Sequence, residues 1–401
     1  MKKETTDALI IGGGPAGLAA ALAFAAKGIK STVVDFRKPP IDKPCGEGLM
    51  PDSLKELSKL GVEIPSNNGF NFDGIKFKRG DNFVESDFPQ GKGLGVRRKV
   101  LHEALVEKAE RTDNISLLWN SRVNLLKPDG ALIGDSEISY RWLIGADGMN
   151  STVRKWAKLD VGESASFRYG FRSHYLIEPW TSRMELHWSD IGQMYVTPIS
   201  QNEVCVVFLS GDKTLRFDQA LRHFPELQNR LNGAQQSSKL QGAITANRML
   251  RSAASGRTAL IGDASGSVDA ITGEGLALSF RQSFALADAI SQEDLSSYAK
   301  AHKSLAQLPT RMARLMLLLD RLPALQSRII QALSMTPETF GNLLGAHVGH
   351  QSLPLTICRE VPKVAWNLLR ADGNDHSYSN QFPVLPSQGV VHHEVTKIAY
   401  R

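Results

Sequence analysis

Cysteine is scarce in this chain of 401 residues: Cys45, Cys205 and Cys358 are an odd number with no CxxC spacing. That pattern argues against a disulfide framework and a zinc site and favours a reducing compartment. No stretch of about 18 apolar residues escapes interruption by a charge, so no membrane-spanning helix is expected. Internal repeats and low-complexity stretches are missing as well, which sets aside solenoid and disordered classes. Basic residues exceed acidic ones by 47 to 41, a formal charge of +6, but the excess is spread along the chain. No nucleic-acid site is expected from it. The N-terminus, Met-Lys-Lys-Glu-Thr-Thr-Asp, runs straight into an apolar strand, so a cleaved leader would destroy the loop that follows and a cytoplasmic location is expected.

What is present is ordinary globular composition, 42% hydrophobic and 22% charged. It is enough to bury a large core, for which one nucleotide-binding domain plus a smaller domain fits best. Residues 8–11 form a short apolar run, residues 15–27 an Ala- and Leu-rich helical stretch stopped by Gly28, and residues 31–35 a second strand ending in an acid. Between them, Gly12-Gly13-Gly14-Pro15-Ala16-Gly17 satisfies GxGxxG through Gly12, Gly14 and Gly17. The first glycine permits the tight turn, the second lets a pyrophosphate approach the backbone, and the third allows helix to pack on strand. Asp35, about 20 residues on, is placed to bind ribose hydroxyls, with Phe36 and Arg37 beside it. A dinucleotide site is expected here.

Further along, 74–77 and 82–86 read as strands, 100–111 as a helix, 142–146 as a strand, and 168–209 as a run of strands clearest at 194–197 and 204–209. The α/β pattern returns with a strand at 259–261 and a helix at 275–291, so the nucleotide domain is expected to be discontinuous. From 295 to about 369 the pattern is helical and broken by Pro309, Pro323, Pro337, Pro354 and Pro362. Beyond Ala371 the polar composition predicts a loosely held end.

The segment Gly145-Ala146-Asp147-Gly148-Met149-Asn150-Ser151-Thr152-Val153-Arg154 is close to GADGxxSxVR, and Gly262-Asp263-Ala264 is followed by Thr272-Gly273-Glu274-Gly275. With these motifs the chain resembles the FAD enzymes of the para-hydroxybenzoate hydroxylase superfamily. The resemblance implies that Ala146, Asp147, Gly148 and Arg154 lie near the FAD pyrophosphate and the visiting reduced nicotinamide cofactor. It implies that Asp263, after Gly262, binds the ribityl chain, and that Gly273, Glu274 and Gly275 offer backbone N–H groups to the flavin ring, donors that suit negative charge. It also implies that Arg98, opening a helix, reaches the FAD phosphates, with Arg97 as the fallback if the register is off by one. The chain has no second GxGxxG, so NAD(P)H is expected as a transient reductant.

The fold expected is α/β: a Rossmann-type FAD-binding domain (1–165, with an excursion at about 70–95), an inserted antiparallel β-sheet substrate domain (166–243), a second FAD-binding part (244–305), and a C-terminal helical segment and tail (306–401). No metal is implied.

The reaction is less sharply marked. Lys43-Pro44-Cys45-Gly46-Glu47-Gly48-Leu49 resembles the geranylgeranyl reductases, in which a cysteine here is proposed to supply a proton near the flavin; Cys45, Gly46, Glu47 and Gly48 are accordingly expected near the ring. Gly266 stands where the hydroxylases usually carry His. In the other direction, Met194 to Ile199 with Glu203 to Val206 resembles the hydroxylase strand pair, and the WxWxIP signature of flavin-dependent halogenases is missing. The proline usually found before Thr-Gly is replaced by Ala270 and Ile271, with Asp269 beside them as a candidate acid, base or substrate-orienting group. His174 and His187 are candidate pocket residues, while Cys205 and Cys358 read as core. Residues 311–322 and 325–335 are apolar helical stretches studded with Arg311, Arg314, Arg321 and Arg328. They either lie on a membrane or cap a greasy tunnel, or simply pack on the domain with solvated arginines. This tail resembles flavoproteins that hydroxylate long-chain alkylresorcinols. The leading expectation is therefore an FAD-dependent monooxygenase acting with NAD(P)H and O2 on a small apolar phenolic substrate, the alternative a reductase of isoprenoid double bonds.

Overall fold

The computed structural model describes residues 2–160 and 164–370, which fall within one compact unit. The apolar runs read from the sequence become an eight-stranded sheet with Thr258–Leu260, Ser136–Gly145, Lys2–Ile11, Ser31–Val34 and Ile115–Leu118 side by side and parallel. Its central strands are buried, as parallel strands covered on both faces must be. Register matters more than strand order here. Ile11 pairs with both Val34 and Gly145, Gly145 with Leu260, and Val34 with Leu118. Five carboxyl ends therefore stop at one level, and the residues that follow them share one edge, where open α/β sheets bind ligands.

The Pro15–Ala25 helix is buried nearly all round because its alanines let it sit tightly between the sheet and the Gly275–Ser291 helix. Ala19, Ala20, Ala21 and Phe24 expose nothing.

A second eight-stranded sheet combines Ser164–Leu176, Glu203–Ser210, Gly192–Ser200 and Arg183–Ser189 with the early hairpin Gly74–Arg79 and Asn82–Asp87. All its pairings are antiparallel except Arg183–Ser189 with Gly74–Arg79. The strand Gln241–Met249 also pairs along Ser164–Leu176. The chain consequently returns to the nucleotide sheet at Ala254–Ser255, beyond the expected boundary at 244.

Five helices complete the described chain: Leu295–Leu305, Gln307–Asp320, Pro323–Ser334, Pro337–His347 and Leu353–Arg370. Pro323 and Pro337 open helices, where a missing N–H costs nothing. Pro362, expected to break a helix, lies inside Leu353–Arg370 instead; the carbonyl it leaves without a helical donor belongs to Cys358, on an exposed stretch of the helix. Cys358 itself is exposed, which corrects its reading as a core residue, while Cys205 is buried. Among the described residues no helix is long and apolar enough to cross a membrane. The end beyond Ala371, expected to be loosely held, lies outside them.

Candidate functional site

The glycine loop leaves Lys2–Ile11 and enters Pro15–Ala25, and each glycine has its own reason. Gly12 has φ +113°, and a Cβ there would sit 2.3 Å from the Ala146 carbonyl oxygen; at Gly17 it would sit 1.9 Å from the Gly12 carbonyl oxygen. These two close the first motif onto the second. Gly14 faces open space, and as N-cap it offers no side chain to the free amides of the first turn. Pro15 occupies the first helical position. Ala16 packs where a Cβ on Gly262 would stand, 2.7 Å away, so Gly262, at φ +60°, joins the third motif to the first.

Asp35 accepts from the backbone N–H of Gly13 and of Arg37, each at 2.8 Å. Phe36 is exposed, with the guanidinium groups of Arg37 and Arg122 at 5.2 and 5.4 Å from its ring centre. His102, which the sequence reading missed, is fully buried beneath the loop. Its Nδ1 accepts from Ile41 N–H at 3.4 Å, so Nε2 carries the proton and donates to the Gly13 carbonyl at 2.8 Å. Burial lowers its pKa, which favours this neutral form. Its position one turn after Arg98 on the same helix was the available signal.

Arg97 and Arg98 separate cleanly. Arg97 bonds Glu203 through two nitrogens and reaches Ser237, a purely internal engagement. Arg98 begins the helix Arg98–Glu110, and its buried Nε has no hydrogen-bond partner. Its charge is felt by Asp263, Cys45 and His102, and an orphaned guanidinium donor among the motif residues fits an anionic group such as a pyrophosphate.

In the second motif, Asp147 accepts from Ser151 Oγ at 2.5 Å and Thr152 N–H at 2.6 Å, capping the Thr152–Trp156 helix. Gly148, at φ +77°, faces open space. Arg154 is 1% exposed and donates to the carbonyls of Ala264 (3.0 Å) and Met149 (2.7 Å). It therefore braces the second motif against the third from inside. Asp263 pairs with Lys43 at 2.5 Å, and Lys43's charge, set against the penalty of burial, lowers its pKa.

Glu47 holds the Lys43–Gly48 loop in place. It has φ +57°, unusual for a residue with a side chain, and is 5% exposed. Its Oε1 accepts from Arg98 N–H and Arg172 Nη1, both at 3.0 Å, and its Oε2 lies 2.6 Å from His174 Nε2. Arg172 in turn forks onto Asp42 with two bonds of 2.9 Å. Cys205 lies close enough to Glu47 and His174 to complete a metal-ligand trio, but the Arg172 guanidinium on the same carboxylate opposes a cation there.

Cys45 and Gly46 are laid on the second sheet, where Thr197 Oγ1 donates to the Gly46 carbonyl at 2.7 Å. Gly46 faces open space. Burial, opposed by the charge of Arg98, pushes the Cys45 thiol up, so it stays protonated. His187, the other candidate histidine, is paired with Glu185 at 2.9 Å.

Asp269 is 2% exposed; its Oδ1 accepts from Ile271 N–H at 3.0 Å and pairs with Arg168 at 3.1 Å. It caps the short turn Ala270–Thr272, which is how this chain shapes the segment without the family's proline. Tyr195 OH lies 3.2 Å from the Ile271 carbonyl, bringing the second sheet onto that turn. Gly273 then adopts φ +68°, and Gly275 opens the Gly275–Ser291 helix facing open space. The Glu274 side chain points elsewhere, 4% exposed and 3.8 Å from His347 Nδ1 of the C-terminal segment. Burial raises its pKa.

Open glycine faces at 14, 148 and 275, an uncapped helix N-terminus and the orphaned Arg98 donor all suit FAD. Gly12–Gly17, Asp35 and Arg98 would hold the adenosine and pyrophosphate, and Gly273 to Gly275 the ring end. Bound there, FAD would supply hydride transfer.

Comparison with known proteins agrees. Menaquinone reductase of Mycobacterium tuberculosis is 28% identical over 320 aligned residues, 73% of this chain and 78% of that protein. A digeranylgeranylglycerophospholipid reductase of Methanothrix thermoacetophila is 28% identical over 172 residues, 39% of this chain and 42% of that protein. The 6-methylpretetramide 4-monooxygenase of Streptomyces rimosus is 31% identical over 170 residues, 38% of this chain and 40% of that protein. Among solved structures, a flavoprotein/dehydrogenase from Cytophaga hutchinsonii superposes with a TM-score of 0.77 at 16% identity, covering 92% of this chain and all of that one. The p-nitrophenol 4-monooxygenase of Pseudomonas putida gives 0.71 at 18% identity, covering 91% of this chain and 99% of that one. At such identities the likeness concerns the fold. The FAD binding domain family matches residues 5–293, most of the chain. The chain thus belongs to that family and is an FAD-dependent oxidoreductase of the para-hydroxybenzoate hydroxylase superfamily.

Proposed function

We propose that the protein is an FAD-dependent reductase that saturates a carbon–carbon double bond in an apolar, isoprenoid-type substrate. The observation that carries this reading is Cys45, a half-buried thiol kept protonated on a loop laid between the nucleotide sheet and the second sheet. The span of the relatives supports it, since the menaquinone reductase aligns over 73% of this chain and the S. rimosus monooxygenase over 38%. In the balanced reaction FAD, held by the glycine loops and Arg98, would supply the hydride, with NAD(P)H as the source of the two electrons. Cys45 gives its proton to the second carbon, and the thiolate is reprotonated from solvent. Glu47, anchored by Arg172 and His174, keeps the loop from shifting as that proton leaves.

Replacing Cys45 with Ala is expected to leave FAD bound and to lower turnover about a hundredfold, the usual scale for losing a general acid. An unchanged rate would remove Cys45 from the chemistry.

Hydroxylation of an apolar phenol is the second reading, favoured by the S. rimosus monooxygenase being 31% identical over its aligned span. Labelled O2 separates the two. A product that gains one labelled oxygen supports hydroxylation, and a product that gains two hydrogens without oxygen supports reduction.

A further inference from the structure

The helix Leu353–Arg370 is amphipathic the wrong way round for a surface helix in water. The side chains it buries most deeply are polar: Thr356 and Glu360 are buried, with Asn367 partly buried beside the apolar Leu353, Val364 and Leu368. The polar side chains are satisfied by neighbouring helices. Glu360 accepts from Thr339 and Asn342, each at 2.9 Å, and Asn367 donates to the Ala332 carbonyl at 3.0 Å. Outward it presents Leu355, 73% exposed, with Ile357 and Val361. An ordinary surface helix buries its apolar stripe and solvates the polar one.

The feature extends beyond one helix. Of the 17 large apolar side chains exposed among the described residues, 8 fall within 307–370, including Leu315, Leu318 and Leu322. Arg328 Nη2 donates to the Leu368 carbonyl at 2.7 Å, tying Pro323–Ser334 to the end of Leu353–Arg370. A crevice lined by Arg321, Leu322, Leu325 and Arg328 opens in the same region.

Charge selects the occupant. Arg311, Arg314, Arg321 and Arg328 are exposed, as are Arg359 and Lys363, which share Glu360 at 2.6 and 2.9 Å. Of the acids in this segment, Asp320 is bonded to Arg168 and Gln193, Glu360 is buried, and only Glu338 is exposed. A second copy meeting this face about a two-fold axis would set like charges against each other. Apolar side chains interleaved with cations of one sign suit the headgroup boundary of an anionic bilayer.

We propose that the outer face of residues 307–370 docks this protein onto an anionic lipid surface. The inference does not depend on the reaction class proposed above. Its test is flotation of the FAD-loaded full chain with vesicles of phosphatidylcholine alone or mixed with phosphatidylglycerol. Co-flotation is expected with the mixed vesicles and should weaken with added salt. Leu355→Glu and Val361→Glu should each weaken it about tenfold, the scale of one apolar side chain withdrawn from lipid, with FAD absorbance and unfolding temperature unchanged. Mixed vesicles should also slow the reaction of Cys358, an exposed thiol on the same helix, with a water-soluble maleimide, which provides a check that needs no variant. Failure of the wild-type chain to float, or variants that float as well as it does, would overturn the proposal. So would a stable dimer that Leu355→Glu converts to monomer, because that assigns the face to a second copy.

Discussion

Glu47 sits at φ +57° between two glycines, a conformation that carries strain for any residue with a side chain. It persists because Arg172, His174 and the Arg98 amide all converge on its carboxylate. Removing one partner of a buried ion pair leaves the other charge uncompensated, at a cost of roughly 3 kcal/mol. Glu47→Ala is therefore expected to lower stability by about that amount in urea unfolding of the FAD-loaded protein, and Glu47→Gln by less because one acceptor remains. A loss below about 0.5 kcal/mol, the range of inert surface changes, would show that the cluster is not holding the loop. Residues also mark where sequence reading stopped. The motif placed Glu47 near the flavin, but its partners Arg172 and His174 are about 125 residues away along the chain and carry no local pattern; only the antiparallel strand Ser164–Leu176, which sends residues 172 and 174 to one face, brings them in.

At the scale of elements, the junction between Pro337–His347 and Leu353–Arg370 rests on Glu360, whose side chain exposes nothing. Burial alone would raise its pKa, but bonds from Lys363, Arg359 and Thr339 outweigh that and hold it at about 2. A carboxylate whose pKa is depressed on folding contributes stability that is complete above its unfolded value of about 4.5 and is lost as pH falls through the folded value. Hydrogen exchange in these two helices is expected to quicken between about pH 4.5 and 2, and Glu360→Gln should remove that dependence. An identical acid response in the variant would place the sensitivity elsewhere. Proline shows the same limit of local pattern: the helical stretch is broken at Pro323 and Pro337 as read, each opening the next helix, while Pro362 is carried within one. Whether a proline breaks a helix depends on who needs the carbonyl one turn back, and that is a matter of exposure.

Over the whole molecule, the residues that fit FAD come from loops at 12–17, 35–37, 45–48, 146–148 and 262–275, and from Arg98 at the start of a helix. A ligand joining segments so distant in sequence binds the folded chain and not the unfolded one. FAD at about a hundredfold excess over its Kd should add about 2.7 kcal/mol. The FAD-free protein is expected to unfold several degrees lower in a thermal scan, with FAD restoring the midpoint saturably. A midpoint indifferent to FAD would mean that these segments do not bind it in the folded chain.

The glycine turns, the order of the three motifs and the α/β class were legible in the sequence because they rest on local physics: positive φ, close backbone approach and hydrophobic period. Tertiary structure decided which of two adjacent arginines is free, since Glu203 claims Arg97 and leaves Arg98 with an orphaned donor. It also turned Glu274 towards His347 and exposed the apolar side of Leu353–Arg370. Each of these depends on a partner brought from far along the chain, and no spacing rule encodes which partner arrives.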